Sequence, residues 1–131
     1  MRIYNHSIEQ TADLMKALAD ETRIRILNLL IERECCVCEV TRALSISQTR
    51  ASRHMSQLHD AGLLELRRQG LWTIYYLAPG IKTDYRELIV KAVDNALSSS
   101  QIALTDRRRL IENGRLCPSV YNPASVPDNC A

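Results

Sequence analysis

Apolar side chains recur every three or four positions through the first half of the chain, a spacing that places them on one face of an α-helix. The pattern predicts a first helix over residues 7–19 and a second helix after Asp20, whose carboxylate can cap it. A short helix over residues 38–44 and a longer one over residues 48–61 follow. The chain is therefore predicted to begin with helices that are joined by short breaks.

The break before the longer helix contains two serines, and serine favours helix starts. Ser45 and Gln48 have the spacing of a capping box, and Ser47 is a second candidate cap. The side of the longer helix that is predicted to be buried contains Ala51, Met55 and Leu58. The two helices and the turn between them are thus predicted to form one packed pair.

The period of the pattern changes after Gly62, which can end the longer helix. Apolar and polar residues alternate around Leu64 and again around Ile74, with turn residues near Gly70 between the two runs. This alternation predicts a two-stranded hairpin. A long helix over residues 84–98 then carries a regular apolar stripe, which must be buried either on the domain or on a second copy of the chain.

The pair of helices with a tight turn, followed by a hairpin, predicts a mainly α fold with a small β-hairpin, in the arrangement of a winged helix-turn-helix. We predict that residues 1–98 form this domain. Residues 99–131 are predicted to hold a short basic helix, over residues 105–113, and a poorly ordered tail that contains cysteines and prolines.

The composition is that of an ordinary globular protein, with 46% hydrophobic and 24% charged residues among 131. The net charge of +2 does not indicate a nucleic-acid partner, so evidence for one must come from basic residues that cluster locally. The most apolar stretch, residues 26–31, is too short to span a membrane, and the N-terminus lacks the apolar region of a secretory signal. We therefore predict a cytoplasmic protein with no membrane partner.

The outer face of the helix over residues 48–61 is polar and basic. Arginine pairs with guanine, glutamine with adenine, and serine or threonine with bases or phosphates. Residues 47–70 include four arginines and only two acidic residues, so positive charge is concentrated where DNA would be read. The predicted contacts to double-stranded DNA are Ser47, Gln48, Thr49, Arg50, Ser52, Arg53, His54, Gln57 and, on the hairpin, Arg67 and Arg68.

Three of the five cysteines, Cys35, Cys36 and Cys38, fall within four positions. An odd number of cysteines without a signal peptide does not predict a disulfide framework, and thiolates select soft metal ions. Cys36 and Cys38 would lie on different sides of a regular helix, so holding one ion requires the helix start to be unwound. Ligation by this pair would deform the helix pair, whereas Cys35 and Cys38 could share a face.

The size of the cysteine cluster bears on the ligand. Three thiolates suit a trivalent centre such as As(III) or Sb(III), whereas zinc or cadmium normally takes four ligands. We predict that Cys35, Cys36 and Cys38 bind such a ligand, with Cys117 and Cys130 as possible additional ligands. No cofactor for catalysis is predicted.

Several segments resemble the ArsR/SmtB family of metal-sensing repressors. They are residues 18–27, the run Cys36-Val37-Cys38-Glu39-Val40, residues 47–48 with 52–55, and residues 61–63 and 67–72. The resemblance extends over roughly residues 8–97, and the Cys-Val-Cys run followed by an acid is most similar to the arsenical-resistance branch. It implies a repressor in which helical cysteines bind As(III) or Sb(III) and DNA is released.

The resemblance also implies a homodimer in which the first and last helices of the domain pair. The stripe on the long helix agrees with that expectation. The residues predicted to form the dimer interface are Leu14, Leu18, Tyr85, Leu88, Ile89, Ala92, Val93 and Ala96.

The chain departs from the family pattern in two respects. The third cysteine that is typical of the arsenical-resistance branch is replaced by Thr41, so Cys35 or a tail cysteine would have to supply the third thiolate. The zinc-sensing branch uses histidines on its last dimer helix, and here no histidine follows His59. The usual zinc site therefore cannot be built.

Two alternatives remain at this point. The same repressor architecture could sense Cd(II), Pb(II) or thiol oxidation. A small thiol-dependent reductase is the distant alternative, but Cys35 and Cys38 are not embedded in the βαβ pattern of such an enzyme. We therefore predict a transcriptional regulator and not an enzyme.

Overall fold

The computed structural model describes residues 8–80 and 85–117. Within these ranges the elements follow in the order α1 (Ile8–Leu18), α2 (Glu21–Glu32), β1 (Cys35–Cys36), α3 (Val37–Leu44), α4 (Gln48–Asp60), β2 (Leu64–Gln69), β3 (Trp72–Leu77), α5 (Tyr85–Leu97) and α6 (Gln101–Glu112). The predicted class, mainly α with a small hairpin, is confirmed.

The helix starts follow from local capping. Asp20 accepts a hydrogen bond of 3.0 Å from the backbone N–H of Arg23, as predicted, and this bond holds the pKa of Asp20 below its ordinary value. Ser47 caps α4 by accepting from the N–H of Arg50. The predicted capping box of Ser45 with Gln48 was wrong, because Ser45 ends α3 in the left-handed conformation, with φ at 57°.

The helix pair α3–α4 packs through the residues predicted for it. Ala51, Met55 and Leu58 are fully buried, in the same apolar core as Ile26 and Leu29 of α2. Gly62 follows α4 with φ at +87°, a conformation that glycine adopts without strain. The outer face of α4 is thereby held in a fixed orientation against the core.

The hairpin extends into a three-stranded antiparallel sheet of order β1–β3–β2. Gln69 pairs with Trp72, so Gly70 and Leu71 form the turn. The strand β1 was not predicted, because two residues are too few for an alternating pattern to register. Its pairing of Cys35 with Tyr75 places both cysteines at the edge of the sheet.

Among the residues that the structure describes, little covers the apolar stripe of α5. Only Val90 of this helix is buried, and Leu88 remains 69% exposed. Ile8 and Met15 of α1 are also exposed, at 90% and 50%. Leu14, predicted as a dimer contact, is instead fully buried in the protomer core. The exposed or half-buried residues of the predicted dimer set are Leu18, Tyr85, Leu88, Ile89, Ala92, Val93 and Ala96.

The helix α6 begins at Gln101, four residues before the predicted start at 105, because Ser100 caps it. It packs on α2, where Arg25 donates two hydrogen bonds to the buried Asp106, at 2.8 and 3.0 Å. Leu110 is buried in the main core. A division of the chain at residue 98 therefore separates α6 from helices with which it shares a core.

Two further predictions fall on residues that the structure does not describe. The predicted tail beyond residue 117, including Cys130, and the predicted first residue of the long helix, Asp84, lie outside the described residues. None of the helices in the described ranges is long and apolar enough to cross a membrane.

Candidate DNA-reading face and thiol site

The outer face of α4 is open to solvent, as expected of a recognition helix. The side chains predicted to contact DNA on this face are exposed, namely Ser47, Gln48, Thr49, Arg50, Ser52, Arg53 and Gln57. A shallow surface groove runs along the same helix and is lined by Gln48, Thr49, Ser52, Arg53, Ser56 and Gln57. Because the opposite side of α4 is buried, this polar face is the side of the helix that a partner can reach.

His54 differs from its predicted neighbours on α4. Its ring is 7% exposed, and Nδ1 lies 3.2 Å from Nη1 of Arg23. The same Arg23 nitrogen donates to Oε1 of Gln57 at 2.7 Å. The structure therefore places His54 between α2 and α4 and not on the exposed face, because His54 lies three residues after Ala51 and four before Leu58, on the buried side of α4.

The two arginines of the hairpin have different surroundings. Arg67 makes a paired contact with Glu34, with nitrogen–oxygen distances of 2.7 and 2.8 Å. Arg68 is exposed. Successive residues of a strand point to opposite faces, which separates the two guanidinium groups. Arg67 consequently anchors the hairpin to the segment before β1, and Arg68 is the arginine that β2 presents to solvent.

The adjacent cysteines of β1 also face opposite ways. Cys35 is fully buried in the main core, and its thiol donates to the carbonyl oxygen of Arg33 at 3.4 Å. Cys36 belongs to a second apolar cluster with Trp72, Ile74 and Cys117. The structure does not bring Cys35 together with Cys36 in one thiol site.

A buried site brings Cys36 together with Cys117, which follows α6. The thiols of Cys36 and Cys117 and a carboxylate oxygen of Glu39 all lie within 4.8 Å of one another, and all three residues are buried. The Cys117 thiol donates to Oε1 of Glu39 at 3.2 Å. This grouping of two soft sulfur ligands with one oxygen could hold a thiol-loving metal or metalloid.

Glu39 organises this site although it is only 1% exposed. It accepts from the backbone N–H groups of Cys36 at 2.9 Å and Leu116 at 3.0 Å. Arg33 and Arg115 balance its charge, with nitrogen–oxygen distances of 3.1 and 3.4 Å. A buried carboxylate is costly unless it is paired and hydrogen-bonded, and Glu39 is both.

Cys38 lies in the first turn of α3, half-buried, and packs against the cluster that holds Cys36 and Cys117. Cys36 itself precedes the helix in extended conformation, with φ at −88° and ψ at 168°. The unwound helix start, which the spacing of Cys36 and Cys38 requires for a shared ion, is therefore present in this structure.

The environment of the thiols favours their protonated forms. The hydrogen bond between Cys36 and Cys117 raises the pKa of Cys36, and burial raises it further. Burial also raises the pKa of Cys35, and the carboxylate of Glu39 adds to this effect. Both thiols are consequently neutral in the absence of a ligand.

Sequence reasoning missed Glu39, Arg33 and Arg115 as members of the site. The one available signal was the position of Glu39, three residues after Cys36, where a capping acid is expected. Arg33 precedes β1 and Arg115 follows α6, so local spacing could not show that both contact Glu39. Cys117 was predicted as a possible additional ligand, and the structure brings its thiol to Cys36.

The helix pair, the exposed basic face of α4 and the hairpin define a winged helix-turn-helix DNA-binding protein. Residues 20–65 match the family described as "Bacterial regulatory protein, arsR family". The chain is 43% identical over 103 residues to the arsenic resistance transcriptional regulator ArsR1 of Pseudomonas putida, a match that covers 77% of each protein. The chain therefore belongs to the ArsR family and is a transcriptional repressor related to arsenic resistance regulators.

Other relatives agree with this assignment. The arsenical resistance operon repressor of Escherichia coli is 46% identical over 80 residues, which cover 60% of this chain and 68% of that protein. The homodimeric winged helix-turn-helix domain of Mb0332 from Mycobacterium bovis superposes with a TM-score of 0.60 and 27% identity, over 76% of this chain and 94% of that one. These relatives are DNA-binding regulators and not enzymes, as predicted from the sequence.

Proposed function

We propose that this repressor binds a two-fold symmetric operator as a homodimer and releases it when As(III) or Sb(III) binds cysteine thiolates at the start of α3. The observation that carries the proposal is the buried Cys36 thiol, which immediately precedes the first helix of the DNA-reading pair and lies within 4.8 Å of a second thiol. The site of repression would be the cytoplasm.

Binding to DNA is supported by the exposed side chains of α4 and by Arg68. Each protomer would place one recognition helix in the major groove, and the half-sites would be about 34–36 Å apart, one turn of DNA. Dimer formation is supported by the open apolar stripe of α5 and by the homodimer of the Mycobacterium bovis domain.

A trivalent metalloid is supported by the burial of the site. Exchange of three hydroxyl groups of As(OH)₃ for three thiols leaves the centre uncharged. A divalent ion with three thiolates would instead carry a net negative charge beside the buried carboxylate of Glu39, which low dielectric disfavours. Because binding is linked, DNA must weaken metalloid binding by the factor by which the metalloid weakens DNA binding.

The test is fluorescence anisotropy of a labelled duplex from the gene's upstream region, titrated with reduced protein and then with arsenite. We expect tight binding that is lost near one equivalent of arsenite per protomer, and no loss in Cys36→Ser or Cys38→Ser. Cys35→Ala is the matched control, because its thiol belongs to the main core, and it should respond as the wild type does.

Other outcomes of the titration would support a different signal or refute the proposed function. Release by cadmium, lead or peroxide but not by arsenite would replace the metalloid with another thiol-directed signal. A folded dimer that does not bind the duplex under any condition would overturn the proposed repressor function.

A further inference from the structure

Among the described residues, the buried site contains two free thiols and not three. Cys36 and Cys117 are free cysteines, and their side chains are hydrogen-bonded to each other. Cys38 packs against this pair but is disulfide-bonded, so its sulfur is not a thiol in this structure. Cys35 is free but is buried in the main core, outside the cluster of this pair. An As(III) centre that both thiols bind therefore keeps one position that neither of them fills.

A carboxylate oxygen of Glu39 lies within 4.8 Å of both sulfur atoms. Its Oε1 atom accepts two hydrogen bonds, one from the backbone N–H of Cys36 at 2.9 Å and one from the thiol of Cys117 at 3.2 Å. The other oxygen, Oε2, accepts from the backbone N–H of Leu116 at 3.0 Å and from Arg33 at 3.1 Å. Oε1 is thus the oxygen whose partners belong to the thiol pair.

Ligand binding to Cys117 removes one of the two donors to Oε1. The S–H hydrogen is lost when the sulfur binds arsenic, so its bond to Glu39 is lost as well. Glu39 is 1% exposed, and a buried acceptor that loses its partner costs free energy. A ligand that brings its own donor to Oε1 avoids this cost, and a hydroxyl group on arsenic is such a donor.

We propose that Cys36 and Cys117 bind As(III) and that arsenite keeps its third hydroxyl group, which donates a hydrogen bond to Glu39. Glu39 is then a specificity-determining residue, because it favours a trivalent centre that retains a hydroxyl group over one that carries a carbon substituent. This inference rests on the proposed function, since it names the ligand set of the same site. It also gives the site a third contact to arsenite although position 41 is a threonine.

The chemical step is an exchange without oxidation or reduction. Two S–H groups react with As(OH)₃, two As–O bonds break and two As–S bonds form, and each thiol hydrogen leaves with a hydroxyl group as water. The bound centre is uncharged, which suits a site that already contains one buried carboxylate. Its remaining O–H group takes the place of the Cys117 S–H as the second donor to Oε1 of Glu39.

The experiment compares arsenite with methylarsonous acid, CH₃As(OH)₂, in which a methyl group replaces one hydroxyl group. Both compounds can bind two thiols, but only arsenite then has a hydroxyl group left. The full-length protein is handled under nitrogen without added reductant, so that Cys38 stays disulfide-bonded. The chain contains one tryptophan, Trp72, in the same apolar cluster as the two thiols, so its fluorescence reports binding at this site.

The result to measure is the ratio of the affinity for arsenite to the affinity for methylarsonous acid. In Glu39→Gln we expect this ratio to fall by at least about tenfold, the loss that one hydrogen bond to a charged group can cause. A ratio cancels effects of the substitution that both ligands share. Cys117→Ser should weaken both ligands by at least about tenfold, and Cys35→Ala, the control for loss of a buried thiol, should bind both within about threefold of the wild type.

A second measurement uses the wild type alone and does not depend on the folding of Glu39→Gln. X-ray absorption at the arsenic edge of the arsenite complex should show two sulfur neighbours and one oxygen neighbour. Three sulfur neighbours, arsenite binding only after reduction, or an unchanged ratio in a folded Glu39→Gln would overturn the inference and leave the response to arsenite intact. A wild type in which arsenite changes neither Trp72 fluorescence nor operator binding, with or without reductant, would instead refute the proposed function.

Discussion

Glu34 is a single carboxylate that serves two arginines from distant parts of the chain. Arg67 of the hairpin and Arg115, which follows α6, both contact it, at 2.7 and 3.3 Å. The hydrogen bonds from Arg67 are the main reason why the pKa of Glu34 lies below its ordinary value of 4.5. A lowered pKa in the folded state stabilises the fold wherever the carboxylate is ionised in both states.

We expect this contribution to disappear in acid. It is complete above pH 4.5 and is lost as the pH falls through the lowered pKa of the folded state, because the unfolded chain then binds the proton first. Urea unfolding at several values between about pH 3 and pH 6 should show a steeper loss of stability in the wild type than in Glu34→Gln. Glu65→Gln, at an exposed position of β2, should keep the steep profile.

The hairpin of β2 and β3, which is the wing of the fold, contains two arginines to which the sequence alone assigned the same role, contact with DNA. Arg67 and Arg68 are adjacent and equally basic, so composition cannot separate them. The pairing of Arg67 with Glu34 is a tertiary contact across 33 positions, and no local pattern encodes it. Alternation along a strand predicts that the two side chains lie on opposite faces of the sheet, but it does not show which face is exposed to solvent.

The two wing arginines should therefore respond differently to mutation. We expect Arg68→Ala to weaken operator binding and to reduce the salt dependence of log K by about one unit of slope, as loss of one phosphate contact would. Arg67→Ala should instead lower the midpoint of urea unfolding, since it leaves Glu34 without its closest partner. Anisotropy at several salt concentrations checks the first expectation. An unchanged salt slope in Arg68→Ala would exclude a phosphate contact.

The helix α6 shows why part of the site could not be predicted. Its run of three arginines, residues 107–109, is typical of a solvated basic face. In the fold, Arg107 donates to Asn28 at 2.9 Å and Arg109 to the turn after α3. The helices with a strong apolar period were predicted to within a few residues, whereas the start of α6 was predicted four residues late, because its buried face holds only Ala103, Asp106 and Leu110 and relies largely on polar contacts.

The contact between α6 and the turn after α3 can be tested for a role in DNA release, separately from ligand binding. We expect Arg109→Gln to bind arsenite with wild-type affinity, since Arg109 lies outside the thiol site, but to release DNA less completely. The physical reason is the loss of its bonds to Ser45 and to the carbonyl of Arg42. Operator affinity measured with and without saturating arsenite gives the coupling free energy. Arg108→Gln is the control, because Arg108 is exposed on the same helix. Equal coupling free energies in the two variants would exclude a role in DNA release for the contact that Arg109 makes.

At the scale of the whole molecule, apolar side chains of α1 and α5 stay open to solvent in the part of the chain that the structure describes. Leu88 on α5 is 69% exposed, and Ile8 and Met15 on α1 are exposed as well. The periodic stripe predicted that something must cover α5, but the sequence pattern could not decide between the domain and a second copy. The structure of the single chain favours the second copy, because α5 buries only Val90.

We expect Leu88→Glu to prevent dimer formation, since a carboxylate in an apolar interface is left without a partner. Sedimentation equilibrium should give a monomer mass for this variant and a dimer mass for the wild type, and operator affinity should fall in parallel. Leu71→Glu is the matched control, as Leu71 is 82% exposed in the turn of the hairpin. A Leu88→Glu protein that is still a dimer would show that Leu88 does not lie in the dimer interface.

Because Glu34 is shared between the hairpin and the segment after α6, it has a consequence for how the family can diverge. A relative that loses Glu34 would leave Arg67 without its carboxylate partner and Arg115 with Glu39 alone, so we expect positions 34, 67 and 115 to be inherited as a set. Joint gain and joint loss of these three residues across the family would show that the hairpin and the segment after α6 depend on one carboxylate.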